Sequence, residues 1–579
     1  MKRLKKYIRH NLHFFISAIF CAILALSLDM FNPKIVELIV DRVIIKNNME
    51  LLPRLLLFMT LITFSRVILG YFKEYFMDLG GSRLAYELRV DLFEHLQKLP
   101  FSFFDGINTG ELMSRIKEDI DNVWFTFGFG LVFFIEQLFY FLIASVILFS
   151  INWKLTLIVL TLIPFIGYIA YKLERENDEV YGEISDQGVR LNTTAQEDIA
   201  GIRVVKSFGR EKYEIERFFE ENKKNFELNV KQAKIFAKYF PWMDFLTNIS
   251  IALAITLGGL WVIGDKMSVG TLVAYSGYVS MIVWPVRLGG WIVNMLAQCV
   301  ASLKKIERLF RERPEKDFIG ERIEVKGIRG EVLFKNVSFK YKDEYVLKNI
   351  TFHIKPGKTL AIMGLTGSGK TTIVNLLGRF YEPWEGEILI DGMDIRKIDL
   401  KTLRENIAYV PQDVFLFSDT VRENIKLGKE LDEKIIEKAL KDAKALQFVR
   451  NLPEGLETII GERGLGLSGG QKQRLTIARA LARVLIGSAK ILVLDDVTSA
   501  LDMETELYIQ KALEEYNLTK IIIAHRVSAV KNADEIIVLE KGEIVERGTH
   551  EELLSLKGRY YETYQEQYGK YVFMEEEPV

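Results

Sequence analysis

The sequence predicts two domains of different class: an α-helical membrane domain at residues 1–320 and an α/β domain at residues 321–579. Long apolar stretches recur as far as Leu303, where a charged linker begins. Beyond the linker, short apolar strands alternate with helical stretches, which is the pattern of an α/β fold. In that second part a glycine-rich turn stands between a strand and a helix, as in a phosphate loop.

The composition agrees with a chain that is partly in a membrane and partly in water. Of its 579 residues, 49% are hydrophobic and 26% are charged, and at this length at least two domains are expected. The 76 basic and 77 acidic residues nearly cancel, so no overall positive charge points to a nucleic acid partner. Cys21 and Cys299 lie in apolar stretches, where we expect small buried side chains and not a metal site.

Six stretches fit the roughly 20 mostly apolar residues that a membrane-spanning helix needs. They are Asn11–Leu28, Leu55–Phe72, Val123–Asn152, Leu155–Tyr171, Phe245–Gly264 and Met267–Leu303. The first follows a basic N-terminus, as in a signal peptide. It is longer than a signal's apolar region, however, and lacks a small-x-small cleavage site before Asp29. We therefore expect it to be retained as the first of six transmembrane helices.

Two long charged intervals, Lys73–Asn122 and Lys172–Phe240, separate the spans into three pairs. They keep a helical apolar period, as in LAYELRVDLFEHLQKL, which predicts that the spans continue as helices far outside the membrane. The basic N-terminus places these extensions in the cytosol, although Arg42 and Lys46 weaken the contrast. An even number of spans puts the C-terminal domain there too, so the predicted location is the cytoplasmic (inner) membrane.

The α/β part contains a phosphate loop in the segment TLAIMGLTGSGKTTIVNLL. Its backbone N–H groups converge on phosphate oxygens at the start of a helix, whose dipole also favours an anion. The predicted ATP-binding residues of this loop are Gly364, Thr366, Gly367, Ser368, Gly369, Lys370, Thr371 and Thr372. Lys370 would reach the β and γ phosphates, and Thr371 would ligate Mg²⁺.

A second acidic element follows downstream, where the apolar strand in AKILVLDD ends at Asp495. A carboxylate at the tip of a buried strand beside a phosphate loop is where Mg²⁺ is held. An acidic turn at a strand end is common by itself. The segment LSGGQ just upstream, Leu467–Gln471, favours the metal-binding interpretation.

With LSGGQKQRLTIARAL the chain resembles the ABC family of ATP-driven transporters. The resemblance implies that Ser468, Gly469, Gly470 and Gln471 meet the γ-phosphate of ATP bound to the opposite subunit. It further implies roles for single residues elsewhere in the chain. These are adenine stacking for Tyr341, contact with Mg²⁺ and water for Gln412 in YVPQD, the D-loop for Asp502 in SALD, and γ-phosphate contact for His525 in IIIAHR.

The resemblance extends to the membrane half. Residues 103–123 and 197–214 are similar to the cytosolic loops of bacterial multidrug-type and lipid-type exporters, in which short coupling helices dock onto the ATPase domains. It implies one half of a dimeric exporter of amphiphilic or hydrophobic substrates, drugs or lipids. Importers of the superfamily usually carry the membrane and ATPase parts on separate polypeptides, whereas this chain fuses them in the order found in exporters. Soluble DNA-repair ATPases with related motifs carry long heptad insertions that this chain lacks.

One position departs from the family pattern. Where the family has a catalytic glutamate directly after the Mg²⁺-binding aspartate, this chain has Asp496. In the family that residue polarises the attacking water, so the resemblance implies a slow or degenerate hydrolysis site here. We therefore favour a heterodimer with a second half-transporter over a homodimer. A mainly regulatory, ATP-binding half remains an alternative.

Charged residues also interrupt the apolar spans, namely Arg66, Glu136 and Arg287, and Asp244 begins one. A charge at the bilayer centre costs at least about 2.5–3.5 kcal/mol, so it normally faces a partner or an aqueous cavity. The sequence leaves two interpretations open, structural ion pairs between helices and a role in a substrate cavity.

Overall fold

The computed structural model describes residues 2–315, 327–461 and 466–575. The chain divides into two units. The N-terminal unit comprises Met1–Gln97 with Asn108–Glu312, and the C-terminal unit comprises Lys98–Ile107 with Arg313–Val579. The predicted domain boundary between residues 320 and 321 lies outside the described residues and stays a prediction.

Helices dominate the first 312 residues. In chain order they are α1 (Lys2–Asp29), α2 (Phe31–Leu38), α3 (Leu52–Leu96), α4 (Phe101–Asp105), α5 (Thr109–Ser114), α6 (Ile120–Phe125), α7 (Leu131–Leu160), α8 (Ile163–Ala200), α9 (Ile202–Ser207), α10 (Glu211–Ile263) and α11 (Val269–Arg311). Wider π-helical turns occupy Ile39–Ile45, Arg115–Asp119 and Thr126–Gly130. Within the N-terminal unit, α1 packs along α3, α8 along α10, and α11 against α7.

Five helical stretches of the described residues are long and apolar enough to cross a membrane. They are Lys5–Ile45, Met49–Leu96, Thr109–Leu160, Glu211–Ile263 and Val269–Arg311. They coincide with the first, second, third, fifth and sixth predicted spans. All five extend beyond the predicted apolar segments, which agrees with the expected helical extensions.

The fourth predicted span, Leu155–Tyr171, is divided between two helices. The chain leaves helical geometry at Asn152 (φ −158°, ψ 101°), whose Oδ1 accepts from the N–H groups of Lys154 and Leu155, both at 3.1 Å. A second break separates the end of α7 from α8, which begins at Ile163. Because α8 becomes highly charged after Tyr171, no single helix there is apolar for long enough. Among the described residues there are thus five candidate spans where the sequence predicts six.

Each charged residue that interrupts an apolar span has a partner on another helix. Arg66 lies 2.7 Å from Asp29, Lys73 lies 3.2 Å from Glu136, and Arg287 lies 2.8 Å from Asp244. These distances agree with the ion-pair interpretation. The Arg287 guanidinium also lies 5.9 Å from the centre of the Trp284 ring. The alternative role in a substrate cavity stays a prediction.

The C-terminal unit contains two sheets and ten further helices among the described residues. The strands are β1 (Val332–Lys340), β2 (Tyr345–Ile354), β3 (Thr359–Gly364), β4 (Glu385–Ile390), β5 (Met393–Asp394), β6 (Ile407–Val410), β7 (Ile491–Asp495), β8 (Thr519–Ile523), β9 (Glu535–Glu540) and β10 (Glu543–Gly548). The helices are α12 (Lys370–Leu377), α13 (Leu400–Glu405), α14 (Val421–Lys426), α15 (Glu433–Asp442), α16 (Leu446–Arg450), α17 (Gly469–Leu485), α18 (Met503–Glu514), α19 (Val527–Val530), α20 (His550–Leu556) and α21 (Arg559–Glu575).

The order of the strands positions the site. One sheet is antiparallel in the order β2-β1-β4-β5, and the other runs β10-β9-β3-β8-β7-β6. In the second sheet, β9, β3, β8, β7 and β6 are parallel. All five residues of β7 are buried, as expected for a strand covered on both faces. The carboxyl ends of β3, β8, β7 and β6 therefore form one continuous edge, where α/β proteins bind their ligands.

Candidate active site

A cavity of about 200 Å³ opens at this carboxyl edge. Its lining includes Lys370 and Thr371 after β3, His525 after β8, Asp495 and Asp496 at the end of β7, and Gln412 after β6. These residues come from four strands that are distant in the chain but adjacent in the sheet. The fold thus brings the predicted phosphate-loop, acidic and histidine residues together.

The phosphate loop has a backbone that needs glycine. Gly364 has φ +147° and Gly369 has φ +103°, and a Cβ on Gly369 would lie 2.6 Å from Leu347 Cδ2. Thr366, Gly367 and Thr372 also line the cavity. The Ser368 hydroxyl is buried and has no hydrogen-bond partner among the described residues. A loop of this shape, followed directly by helix α12, suits an anion.

Lys370 is almost fully buried, with 6% of its surface exposed. Its Nζ atom donates to the carbonyl oxygens of Gly364 and Leu365, each at 2.9 Å. Burial lowers the pKa of the Lys370 ammonium, and the attraction of Asp496 and Asp495 opposes that effect. An incoming anion would offer this cation a stronger partner than carbonyl dipoles.

Asp495 is the most buried acid of the site, with 1% of its surface exposed. The hydroxyls of Thr371 and Tyr409 donate to its two carboxylate oxygens, each at 3.3 Å. Burial raises the pKa of the Asp495 carboxyl, and these hydrogen bonds oppose the shift. No group of three or more His, Cys, Asp or Glu side chains that could hold a metal occurs in the described residues. A hydroxyl beside a carboxylate nevertheless fits Mg²⁺, which takes one or two protein ligands beside phosphate and water.

Asp496 has a fixed backbone and a short side chain. Its φ is +46°, a conformation that aspartate tolerates better than most residues. Its N–H donates to the Ile523 carbonyl at 2.9 Å, and its own carbonyl accepts from Ser499 Oγ at 3.0 Å. The Asp496 carboxylate lies 3.5 Å from Gln412 Nε2. The strand end therefore determines how far this carboxylate reaches into the cavity.

Tyr341 directly follows β1 and borders a larger groove of about 760 Å³. Its hydroxyl lies 3.3 Å from Thr372 Oγ1, and its ring meets the Tyr381 ring edge to face at 5.0 Å. The Tyr381 hydroxyl donates to Asp105 Oδ2 at 2.5 Å, and the Phe380 ring lies 5.0 Å from the Phe101 ring. Helix α4 thus contacts Phe380 and Tyr381, and Tyr381 in turn contacts the tyrosine that the sequence predicts for adenine.

The remaining predicted residues cap helices outside the cavity. Ser468 precedes α17, where its Oγ accepts from the Gln471 N–H at 3.3 Å and its N–H donates to Gln471 Oε1 at 2.9 Å. Asp502 caps α18 by accepting from the Thr505 N–H at 2.8 Å. Ser468, Gly469, Gly470, Gln471 and Asp502 are absent from the lining of the 200 Å³ cavity. Ser468 and Gly469 are exposed.

Three contributors to the site were not predicted. Tyr409 holds Asp495, Tyr381 links Tyr341 to Asp105, and Gln567 donates to the His525 carbonyl at 2.7 Å. Tyr409 stands in the YVPQD segment and could have been considered with Gln412. Tyr381 and Gln567 carry no local sequence signal, because their partners lie far away in the chain.

Comparison with known proteins agrees with this architecture. The family model of the ABC transporter transmembrane region matches residues 15–286, and the family model described as ABC transporter matches residues 347–499. An ATP-dependent lipid A-core flippase of Syntrophus aciditrophicus (strain SB) is 37% identical over 570 residues, covering 98% of this chain and 94% of that protein.

Two further proteins are similar over nearly the whole chain. A putative multidrug export ATP-binding/permease protein of Bacillus subtilis (strain 168), YgaD, is 34% identical over 579 residues, with 97% and 98% of the two chains covered. The solved structure of a bacterial Atm1-family ABC exporter with ATP bound has a TM-score of 0.81 at 27% identity, covering 97% of this chain and 98% of that one.

Lys370→Ala and Tyr341→Ala are each expected to weaken ATP binding to the purified chain. Loss of the buried ammonium should cost about tenfold or more in affinity, because hydrogen bonds to charged groups contribute about 1.5–3 kcal/mol. Loss of the ring should cost about fivefold to a hundredfold, as stacking on a base contributes about 1–3 kcal/mol. Equilibrium binding of radiolabelled ATP measures both.

Matched controls are available on the same sheets. Lys520, also buried but near the other end of β8, and Tyr345, about as exposed as Tyr341, should tolerate alanine without a change in ATP affinity. Unchanged ATP affinity in both Lys370→Ala and Tyr341→Ala would contradict the assignment of the site.

Proposed function

Because the chain belongs to the ABC transporter family and is an exporter with a transport-coupled ATPase domain, we propose that it is one half of a dimer that exports amphiphilic or hydrophobic molecules. These are drugs or lipids, and the membrane is the cytoplasmic (inner) membrane. The names of the flippase and of the multidrug export protein support this substrate class.

The position of the LSGGQ residues is the observation that supports the proposed dimer. The chain has an intact phosphate loop and an intact LSGGQ segment, yet the LSGGQ residues do not line its own phosphate cavity. Ser468 and Gly469 are exposed at the start of α17, where N–H groups and the helix dipole favour an anion. They are therefore free to meet the γ-phosphate of ATP held by a second subunit, and that subunit would complete the site of this chain.

The residues in and near the cavity each contact a different part of ATP. Tyr341 stacks on adenine, the backbone of residues 364–372 cradles the phosphates, and Lys370 turns from its loop carbonyls to the β and γ phosphates. Thr371 and Asp495 would hold Mg²⁺, with Gln412 beside them. When bound, the ion would supply positive charge that stabilises the negative charge on the phosphate oxygens. His525 contacts the γ-phosphate, and Asp496 is the group placed to accept a proton from water.

The length of Asp496 limits hydrolysis. An aspartate ends one carbon–carbon bond, roughly 1.5 Å, short of a glutamate. Misplacing a catalytic group by about 1 Å can cost around 10²-fold in rate, and losing a general base about 10²–10⁴-fold. ATP should thus bind well but turn over slowly here. A heterodimer would compensate for this slow site. Ser468 would complete the ATP site of a partner in which a glutamate follows the Mg²⁺-binding aspartate.

Coupling to the membrane helices involves α4, which belongs to the C-terminal unit. The contact of Phe101 with Phe380 and the hydrogen bond from Tyr381 to Asp105 support its role as a coupling helix. Since Tyr381 also touches Tyr341, movement at the adenine site can reach α4. The second predicted coupling helix corresponds to α9, Ile202–Ser207.

Inverted membrane vesicles that contain the transporter should accumulate an amphiphilic dye when given ATP, and vanadate should block this. Tyr381→Phe removes the hydroxyl that holds Asp105 and should lower the dye moved per ATP hydrolysed by about twofold or more, the effect of one hydrogen bond. Dye accumulation and phosphate release in the same vesicles give this ratio.

Tyr516→Phe is the matched control, because Tyr516 also donates to an aspartate, Asp442, but away from α4. An unchanged ratio in Tyr381→Phe would contradict the coupling role. ATP-dependent uptake into right-side-out cells that requires an external binding protein would contradict export.

The heterodimer predicts asymmetric ATPase activity. This chain alone should hydrolyse ATP slowly, and co-expression with its partner half-transporter should give brisk activity. Replacing the partner's catalytic glutamate by asparagine should abolish that activity, whereas Asp496→Asn should change it little. Steady-state phosphate release from the purified subunits measures all four cases. Brisk hydrolysis by this chain alone, abolished by Asp496→Asn, would contradict the heterodimer and make Asp496 a working base in a homodimer.

A further inference from the structure

One side chain of the C-terminal helix α21 holds the backbone on both sides of Arg526. Gln567 Nε2 donates to the His525 carbonyl oxygen at 2.7 Å, and Gln567 Oε1 accepts from the Val527 N–H at 2.9 Å. A carboxamide carries a donor and an acceptor side by side, so a single group satisfies both backbone atoms. The five residues after β8, from Ala524 to Ser528, are here called the switch segment.

Helix α21, which carries Gln567, is held in place by its first turn. Tyr560, at the start of α21, has 1% of its surface exposed and packs in a cluster with Met363 and Leu553. Its hydroxyl lies 2.6 Å from His550 Nδ1. Helix α21 is therefore packed against the sheet, and the two hydrogen bonds of Gln567 fix the switch segment relative to this helix.

The other side of the switch segment rests on α18. Arg526 donates to the Leu501 carbonyl at 3.3 Å, and Ser528 Oγ donates at 2.9 Å to Glu506, which is 2% exposed. The His525 ring lines the phosphate cavity but has no hydrogen-bond partner among the described residues. Its position thus depends on the backbone that carries it, and Gln567 contacts that backbone directly.

We propose that Gln567 is a positioning residue for His525, through which helix α21 takes part in distinguishing ATP from ADP. The inference rests on the proposed contact between His525 and the γ-phosphate, which ADP lacks. Without the carboxamide, the carbonyl of His525 and the N–H of Val527 lose their partners. The imidazole would then sample positions away from the γ-phosphate, while the rest of the phosphate loop is untouched.

The test compares affinities of the full chain in nanodiscs for Mg²⁺ with the slowly hydrolysed analogue ATPγS and for Mg²⁺ with ADP. Gln567→Ala should weaken ATPγS binding by about threefold to tenfold, the effect of one or two hydrogen bonds, and leave ADP binding unchanged. Gln567→Glu keeps the acceptor for Val527 but sets a carboxylate oxygen against the His525 carbonyl oxygen, and this repulsion should weaken ATPγS binding at least as much. Gln565→Ala is the matched control, because Gln565 is exposed on the same helix and contacts Tyr561. It should change neither affinity.

A double-mutant cycle separates positioning from a general structural effect. In a His525→Ala background, Gln567→Ala should cause no further loss of ATPγS affinity. Equal losses for ATPγS and ADP, no loss at all, or a loss that persists without His525 would overturn the positioning role alone. If His525→Ala itself leaves the preference for ATPγS over ADP unchanged, the proposed role of His525 is wrong and this inference falls with it.

Discussion

The site depends on one electrostatic constraint, the burial of a lysine and two aspartates at the carboxyl edge of the parallel sheet. Lys370, Asp495 and Asp496 are each less than one tenth exposed, so their charges are stabilised by a few fixed dipoles and by one another. Burial acts in opposite directions on Lys370 and Asp495, lowering the pKa of the first and raising that of the second. A polyphosphate would neutralise Lys370, and its bound cation would neutralise the two aspartates. This edge of the sheet is therefore suited to a nucleotide with its metal ion.

The same edge supports the proposal that a second subunit is needed to complete the site. Strands β3, β8, β7 and β6 can present side chains only from their own ends, and the LSGGQ residues begin a helix elsewhere in the unit. In the proposed function, the γ-phosphate would therefore be enclosed only when a second subunit adds its LSGGQ segment. Because the two composite sites use different residues of each chain, a chain can combine a weak base with a sound LSGGQ segment. In the proposed heterodimer, Asp496 would be the weak base and Ser468 would belong to the sound LSGGQ segment.

Local sequence patterns predicted the parts of the molecule that local physics determines. The glycine turn before Lys370, the buried strand ending at Asp495 and the helix that starts after Ser468 are all present. The continuous fourth span was not, because the break between the end of α7 and the start of α8 at Ile163 divides it. Contacts such as Gln567 with His525 join residues about forty positions apart and leave no periodic trace. The ion pairs of Arg66 and Arg287 likewise required the packing of helices to be known.

The central claim is that the reach of the Asp496 carboxylate limits hydrolysis at this phosphate loop. Single-turnover cleavage of ATP, with protein in excess and Mg²⁺ present, tests it most directly in the Asp496→Glu variant. One added methylene should bring the carboxylate to the water and speed cleavage by about tenfold to a hundredfold, given that a displacement near 1 Å can cost around 10²-fold. Cleavage by Asp496→Glu that is no faster than in the native chain, while Asp496→Asn slows it, would contradict the account.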